Sequence, residues 1–201
     1  MSTPVTPVTL VLETSTPRGG VALFRGSDLH FSHTFTADRS HSSELFAIIE
    51  RALAPDLKVT RIIVGLGPGS YAGVRIAIAA AIGVAVVTGA ETLGIPSILG
   101  LAEGEYLAAG DARRGAFSFS HIRNGVILAG PDLFTREEID ARIAASALPV
   151  YSPEELPLAR IETRFPSVEM LGRLALAGRG ISASGVLEPL YLREPHITAP
   201  K

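Results

Sequence analysis

Short apolar runs separated by turn residues open the chain. Residues 8–12 are rich in β-branched side chains, and residues 20–25 and 29–35 form two similar runs on either side of a Gly-Ser-Asp turn signal. No helical spacing intervenes between these runs. The pattern therefore predicts a β-meander.

Helical and strand patterns then alternate. Ser40 precedes apolar positions 45, 48, 49, 52 and 53, which have the spacing of one helix face. Residues 61–65 include a continuous apolar run typical of a strand covered on both faces. A second helix is predicted over 72–87 and a short strand over 92–95. This order predicts an α/β fold, a mixed sheet with helices on its faces.

The second half carries further strand and helix signals. Residues 106–112 and 116–123 predict strands, and the Asn-Gly pair that follows favours a hairpin into 126–129. Thr135 and Glu138 have the spacing of a capping box before a helix over 136–145, and Ser167 caps another helix ending near 177. A composition shift around 100–110 predicts two units, residues 1–100 and 101–201.

The segment GPGSYAGVRIA, residues 67–77, joins the buried strand to the second helix. Gly67, Gly69 and Gly73 permit close backbone approaches, Pro68 stiffens the loop, and Ser70 is a good N-cap. The N-terminus of a helix presents unpaired N–H groups, which makes an anion site physically reasonable. We interpret this segment, which includes Arg75, as the functional centre of the chain.

Three interpretations of the glycine loop compete. A Walker A loop ends in Gly-Lys-Ser/Thr, and this segment has no lysine. A dinucleotide fingerprint, G-x-G-x-x-A, matches residues 67–72, but Glu91 precedes its strand whereas the acidic residue of that fingerprint ends one. The third interpretation is a tight turn that lets a helix pack close to a strand.

The second helix is apolar all round, because Arg75 is its one charged residue between 74 and 87. Such a helix needs cover on a second face. The cover is either the first helix or another protein, and the extra apolar surface of Phe46 favours a protein interface. The predicted interface residues are Leu45, Phe46, Ile49, Val74, Ile78, Ala81, Ile82 and Ala85.

Composition narrows the function. The net charge of −2 argues against direct binding of nucleic acid by this chain. The absence of cysteine excludes disulfides and thiolate chemistry. The longest apolar run, 76–87, is shorter than the roughly 20 residues of a membrane span, and no signal-peptide pattern begins the chain. We expect a soluble cytoplasmic protein without membrane contact.

The glycine segment closely resembles GPGSFTGLRIG, the signature of the TsaB (YeaZ) family. Four other stretches match this family in the same order. LETST at 12–16 resembles its DTST, HSSEL at 41–45 its HSE-L, DARRG at 111–115 its D-A-R, and PLYLR at 189–193 its P-x-YLR.

The resemblance implies an actin/Hsp70/sugar-kinase-like (ASKHA, ribonuclease H-like) fold of two related halves, the second one reduced. It implies a non-catalytic partner of a TsaD-like catalytic subunit, which works with a TsaE-like ATPase. Their complex transfers threonylcarbamoyl to N6 of adenosine 37 in tRNAs that read ANN codons, and uses ATP/ADP and Mg²⁺. The first two helices would form the interface, and also a homodimer when the partner is absent. This chain would bind no cofactor tightly and would meet tRNA only through the complex.

The fold implies a cleft between the halves, with Glu13, Thr14, Ser15, Asp111 and Arg113 as possible cleft residues. Glu13 stands where the family has Asp, which weakens any phosphate or magnesium role. We expect no catalytic residue and no metal site, because no H-x-x-x-H pattern is present. The alternatives are a free-standing ATP-dependent phosphotransferase of the same superfamily and a dinucleotide-binding oxidoreductase.

Overall fold

A computed structural model describes residues 6–36, 41–53 and 57–192 of this 201-residue chain. Ser40, predicted to precede the first helix, and Arg193 of the PLYLR stretch lie outside the described residues. So does the side chain of His41.

The first sheet is six-stranded and mixed, with the order β11-β5-β4-β1-β2-β3. β1, β2 and β3 form the predicted antiparallel meander, and β4 and β5 extend the sheet parallel to β1. The elements of this part are β1 (Val8–Glu13), β2 (Arg18–Arg25), β3 (Asp28–Thr36), α1 (His41–Ala52), β4 (Arg61–Gly65), α2 (Tyr71–Thr88) and β5 (Glu91–Ile95). The predicted meander and the alternation that follows it are confirmed.

The second sheet is five-stranded, with the order β10-β9-β6-β7-β8. Its predicted hairpin turn and the capping box of Thr135 and Glu138 are both present. The sequence analysis overlooked three strands of only two or three residues, which are too short to show periodicity. The elements are β6 (Glu105–Asp111), β7 (Phe117–Arg123), β8 (Val126–Phe134), α3 (Arg136–Ala144), β9 (Val150–Ser152), β10 (Ile161–Thr163), α4 (Val168–Leu176) and β11 (Ala183–Ser184).

The two sheets pack face to face around α4. Val11 and Phe24 of the first sheet and Tyr106 and Ile122 of the second share one buried cluster with Leu171 of α4. The opposite face of the first sheet carries α1 and α2, and the opposite face of the second carries α3. The layers therefore run from α1 and α2 through the first sheet, α4 and the second sheet to α3.

The predicted division at residue 100 falls between a short 3-10 turn, Ser97–Gly100, and β6. The chain later returns to the first sheet, since β11 pairs with β5. Residues beyond 100 thus complete the first sheet as well as forming the second. The division into units 1–100 and 101–201 stays a prediction.

α2 is long and apolar enough to cross a membrane, with 18 residues and a mean hydropathy of 1.9. The apolar run predicted from the sequence, residues 76–87, is shorter than this helix. However, Val74, Ala77 and Ala81 of α2 are buried with residues of the first sheet. A helix held against a sheet along one face is not surrounded by lipid, so we interpret α2 as a helix of the fold.

Candidate functional site

The glycine loop, residues 67–73, lies directly against the turn that follows β1. The Ser70 amide donates a hydrogen bond to the Ser15 carbonyl at 2.6 Å, and the Thr14 hydroxyl donates to the Gly73 carbonyl at 2.7 Å. A Cβ atom at Gly69 would overlap the Ser15 carbonyl oxygen, and one at Gly73 would overlap that of Thr14. These two positions therefore require glycine because backbone occupies the space of a side chain.

The start of α2 is capped from within the loop. The Ser70 side chain accepts a hydrogen bond from the Gly73 amide at 3.2 Å, which confirms the predicted N-cap. The Gly67 amide donates to the Ser97 hydroxyl at 2.9 Å. Three amides of the loop, at 67, 70 and 73, thus already have protein acceptors. The geometry is that of a tight turn between a strand and a helix.

Glu13 is fully buried at the end of β1, and its carboxylate lies over Gly65 of the neighbouring strand. One carboxylate oxygen accepts a hydrogen bond from the Ser15 amide. Burial raises the pKa of this carboxyl, while hydrogen bonds to Ser15 and Ser97 oppose the shift. No charged side chain is among the causes of this shift.

A cleft of about 680 Å³ separates the two sheets at the glycine loop. Of the predicted cleft residues, Ser15, Asp111 and Arg113 line it. Glu13 and Thr14 do not, since both are buried behind its wall, and the prediction is wrong for these two. The sequence analysis also missed lining residues that lie far along the chain, namely Ser118, Ser120, Glu154, Leu190 and Tyr191.

Asp111 and Arg113 are paired with each other at the rim of this cleft. The Asp111 carboxylate accepts from the Arg113 amide at 2.7 Å and from its guanidinium at 2.9 Å. The Glu154 carboxylate accepts from the Asp111 amide at 2.8 Å. The Asp111 carboxylate is thus bound by Arg113 of the same stretch, and the Asp111 amide is bound by Glu154.

These residues do not fit ATP with Mg²⁺ as the fold family would hold it. The loop amides at 67, 70 and 73 are bound within the protein, Glu13 faces Gly65 and not the cleft, and Asp111 is paired. No group of three or more His, Asp or Glu side chains that could hold a metal occurs within 6–36, 41–53 and 57–192. That this chain binds no cofactor tightly and holds no metal stays a prediction.

Burial divides the predicted interface residues into two groups. Leu45, Ile49, Val74, Ile78 and Ala81 are buried in the monomer, so their prediction as surface residues is wrong. They point at the first sheet and form part of its core. For Val74, Ile78 and Ala81 the sequence pattern does not separate inward from outward positions, because α2 is apolar on all sides. Leu45 and Ile49 lie on the one apolar face of α1, which packs on the sheet.

The remaining predicted interface residues face outward or sideways. Phe46 is 51% exposed and Ile82 is 54% exposed, while Ala85 is half-buried. Val86 and Val87, which the sequence analysis left out of the interface, are 80% and 86% exposed. We call Ala79, Ile82, Gly83 and Val86 the outer ridge of α2.

Arg75 belongs to the outward side of α2 and not to the loop. Its guanidinium donates to the Tyr71 hydroxyl at 3.0 Å and lies 5.2 Å from the centre of that ring. The Tyr71 ring in turn packs on Tyr191 with centroids 5.4 Å apart. This cluster joins the start of the outer ridge to the mouth of the cleft.

Comparisons with known proteins bear on this geometry. A TsaD family model, described as tRNA N6-adenosine threonylcarbamoyltransferase, matches residues 35–133. An uncharacterized protein of Mycobacterium tuberculosis is 29% identical over 196 residues, 92% of each chain. The tRNA threonylcarbamoyladenosine biosynthesis protein TsaB of Haemophilus influenzae is 25% identical over 200 residues, 92% of this chain and 84% of that protein.

Two solved structures from Pseudomonas aeruginosa share the fold. One, described as an uncharacterized protein with similarity to peptidase YEAZ, has a TM-score of 0.74 and 23% identity, over 93% of this chain and 100% of its own. The other, YeaZ, has a TM-score of 0.66 and 23% identity, over 85% and 91%. The chain therefore shares the fold of these two structures, and its mixed sheets with flanking helices confirm the predicted α/β fold class.

A substitution at Gly73 tests the close backbone approach. Gly73→Ala should lower the free energy of unfolding by about 2 kcal/mol or more, because the added Cβ overlaps the Thr14 carbonyl. Gly83→Ala in the same helix is the matched control, since a Cβ there meets nothing within 4 Å. It should stabilise the protein by about 0.5–1 kcal/mol through helix propensity. Equal effects in urea unfolding would contradict the contact.

A substitution at Glu13 tests its buried carboxyl. Because the folded state holds the proton more tightly than the unfolded chain, the contribution of Glu13 to stability is fully present below pH 4.5 and is lost as pH rises through the raised pKa. Gln cannot titrate, so the unfolding free energy of Glu13→Gln should gain on wild type across that window. The gain is at most about 1.4 kcal/mol per pH unit. Denaturant unfolding from about pH 4 to 8 measures it.

The control for this titration is Glu103→Gln, which changes an exposed carboxyl. Its stability difference from wild type should stay nearly flat over the same range. A flat difference for Glu13→Gln as well would show that the Glu13 carboxyl is not held in its protonated form by burial.

Proposed function

We propose that this chain is a TsaB-like (YeaZ-like) protein that serves the biosynthesis of threonylcarbamoyladenosine in tRNA as a non-catalytic subunit and binds a TsaD-like catalytic protein. The observation that carries this proposal is the outer ridge of α2. The ridge exposes Ile82 and Val86 to solvent on a helix whose one charged residue is Arg75. Clustered exposed aliphatic side chains on a folded protein mark an interaction surface.

The ridge is flanked by further apolar surface. Phe46 is half exposed on α1, which packs against α2, and Val87 at the end of α2 is almost fully exposed. Burial of such side chains against a partner contributes about 25 cal/mol per Å² of apolar area. On the ridge, Ile82 and Val86 alternate with the small residues Ala79 and Gly83, which allow a partner helix to approach closely.

A TsaD-like partner is supported by the family comparison. The matching TsaD model spans residues 35–133, which include both α1 and α2. A protein of that family therefore has a related sequence across the same pair of helices. We propose that the two chains pack through these helices, and that this chain forms a homodimer through the same ridge when alone.

We assign catalysis and nucleotide binding to the partner subunits and not to this chain. The glycine loop and the turn after β1 use their polar groups on each other, and Glu13 is buried away from the cleft. We therefore assign ATP and Mg²⁺ to a TsaE-like ATPase and the TsaD-like subunit. The net charge of −2 supports contact with tRNA only through the complex, which we place in the cytoplasm.

Charged substitutions on the ridge test the interface. Ile82→Asp and Val86→Asp should each weaken binding to a TsaD-like protein by about 100-fold or more, because a carboxylate would be buried without a partner. Val126→Asp is the matched control, since Val126 is 48% exposed on β8. Isothermal titration measures affinity, and melting temperature reports folding. Unchanged affinity in both ridge variants would overturn the interface.

Calorimetry with ATP and Mg²⁺ separates this proposal from a free-standing phosphotransferase. The isolated chain should show no binding in the micromolar range, because the loop amides and carboxylates are occupied. Micromolar binding with turnover of ATP would support the phosphotransferase instead. The same titration with NAD(H) tests the oxidoreductase alternative.

A further inference from the structure

A second cavity lies on the face of the second sheet that α3 covers only in part. α3 has nine residues and packs on Leu107 and Phe117 through Ile139 and Ile143. Beyond its end the sheet carries a cavity of about 320 Å³. The cavity is at the opposite end of the layer order from the outer ridge of α2, so the proposed interface does not involve it.

The floor of this cavity is aromatic and aliphatic. Phe119 of β7 and Phe134 of β8 meet edge to face with ring centroids 6.2 Å apart, and Leu107 of β6 lies beside them. Both phenylalanines are only half-buried. Such a floor accepts an apolar ligand group.

The rim of the cavity carries two opposite charges. The Arg142 guanidinium lies over the Phe134 ring, 4.0 Å from its centroid. Asp132 stands two residues before Phe134 on the same face of β8. Across 6–36, 41–53 and 57–192, neither charge makes an ion pair or hydrogen bond, although each is next to the cavity.

Opposite charges beside an apolar floor suit a specific class of molecule. An α-amino acid carries an ammonium and a carboxylate on neighbouring atoms, so one molecule can meet both the Asp132 carboxylate and the Arg142 guanidinium. A guanidinium fixed on an aromatic face is oriented for a carboxylate.

His121 completes the rim in a fixed orientation. Its ring nitrogen Nε2 lies 2.8 Å from the Glu105 carboxylate, which also accepts from Arg123 at 2.7 Å. These hydrogen bonds lower the pKa of Glu105, first through Arg123 and then through His121. The imidazole is therefore held at the edge of the cavity by a carboxylate that stays ionised.

We propose that this cavity binds a free α-amino acid with an apolar side chain. Asp132 accepts from its ammonium group, Arg142 donates to its carboxylate, and the side chain rests on Phe119 and Phe134. This site is independent of the proposed function, because neither the α2 ridge nor the cleft contributes to it.

The test is a titration of the full chain with L-leucine and L-phenylalanine, followed by amide NMR and calorimetry. Saturable shifts in residues 117–134 are expected for at least one of them. 3-Methylbutan-1-amine lacks the carboxylate of leucine and 4-methylpentanoate lacks its ammonium group, so each should bind at least about tenfold more weakly than leucine.

Variants that remove one charge each test whether Arg142 and Asp132 bind the amino acid. Arg142→Gln and Asp132→Asn should each weaken amino-acid binding by at least about tenfold, and Arg136→Gln, on the same helix, should leave it unchanged. All three positions are exposed, and amide spectra verify folding. Lack of saturation up to about 10 mM for both amino acids, or wild-type affinity in both Arg142→Gln and Asp132→Asn, overturns the site.

Discussion

The close approach of the glycine loop to the turn after β1 determines where α2 lies. The backbone of Thr14 and Ser15 occupies the space that side chains at 69 and 73 would need, and two hydrogen bonds join the segments. α2 begins within this contact, capped by Ser70. The loop therefore sets how close the helix stands to the first sheet, and with it the packing of the main apolar cluster.

That same constraint engages backbone groups that a phosphate site would use. Three loop amides already have protein acceptors: the Gly67 amide binds Ser97, the Ser70 amide binds Ser15, and the Gly73 amide binds the Ser70 side chain. Glu13 supports the arrangement from beneath, buried over Gly65. The loop fixes the position of the helix, and the helix presents its outer ridge as a consequence.

Local signals in the sequence predicted much of the fold. The Gly-Ser-Asp turn marked the meander, the Asn-Gly pair marked the hairpin, and Thr135 with Glu138 marked the start of α3. Each of these signals depends on neighbouring residues alone. The resemblance to TsaB proteins supplied the overall fold, which such local patterns do not determine.

The predictions that were wrong or incomplete concern residues whose positions depend on contacts between distant segments. α2 is apolar on every side, so its sequence does not say which side meets the sheet, and Ile78 and Ile82 have opposite surroundings although one turn apart. Glu13 follows a strand, as a cleft residue would, but the neighbouring Gly65 gives its carboxylate a buried space. The cleft residues near 154 and 191 come together only in the folded chain.

The central claim is that the outward side of α2 is the surface that meets another protein. Methyl NMR of the isoleucine- and valine-labelled chain, titrated with an unlabelled TsaD-like protein, tests it most directly. The account predicts that the methyl signals of Ile82 and Val86 shift or broaden while that of Val126, exposed on β8, stays unchanged. Unchanged Ile82 and Val86 signals together with perturbation at Val126 would contradict it.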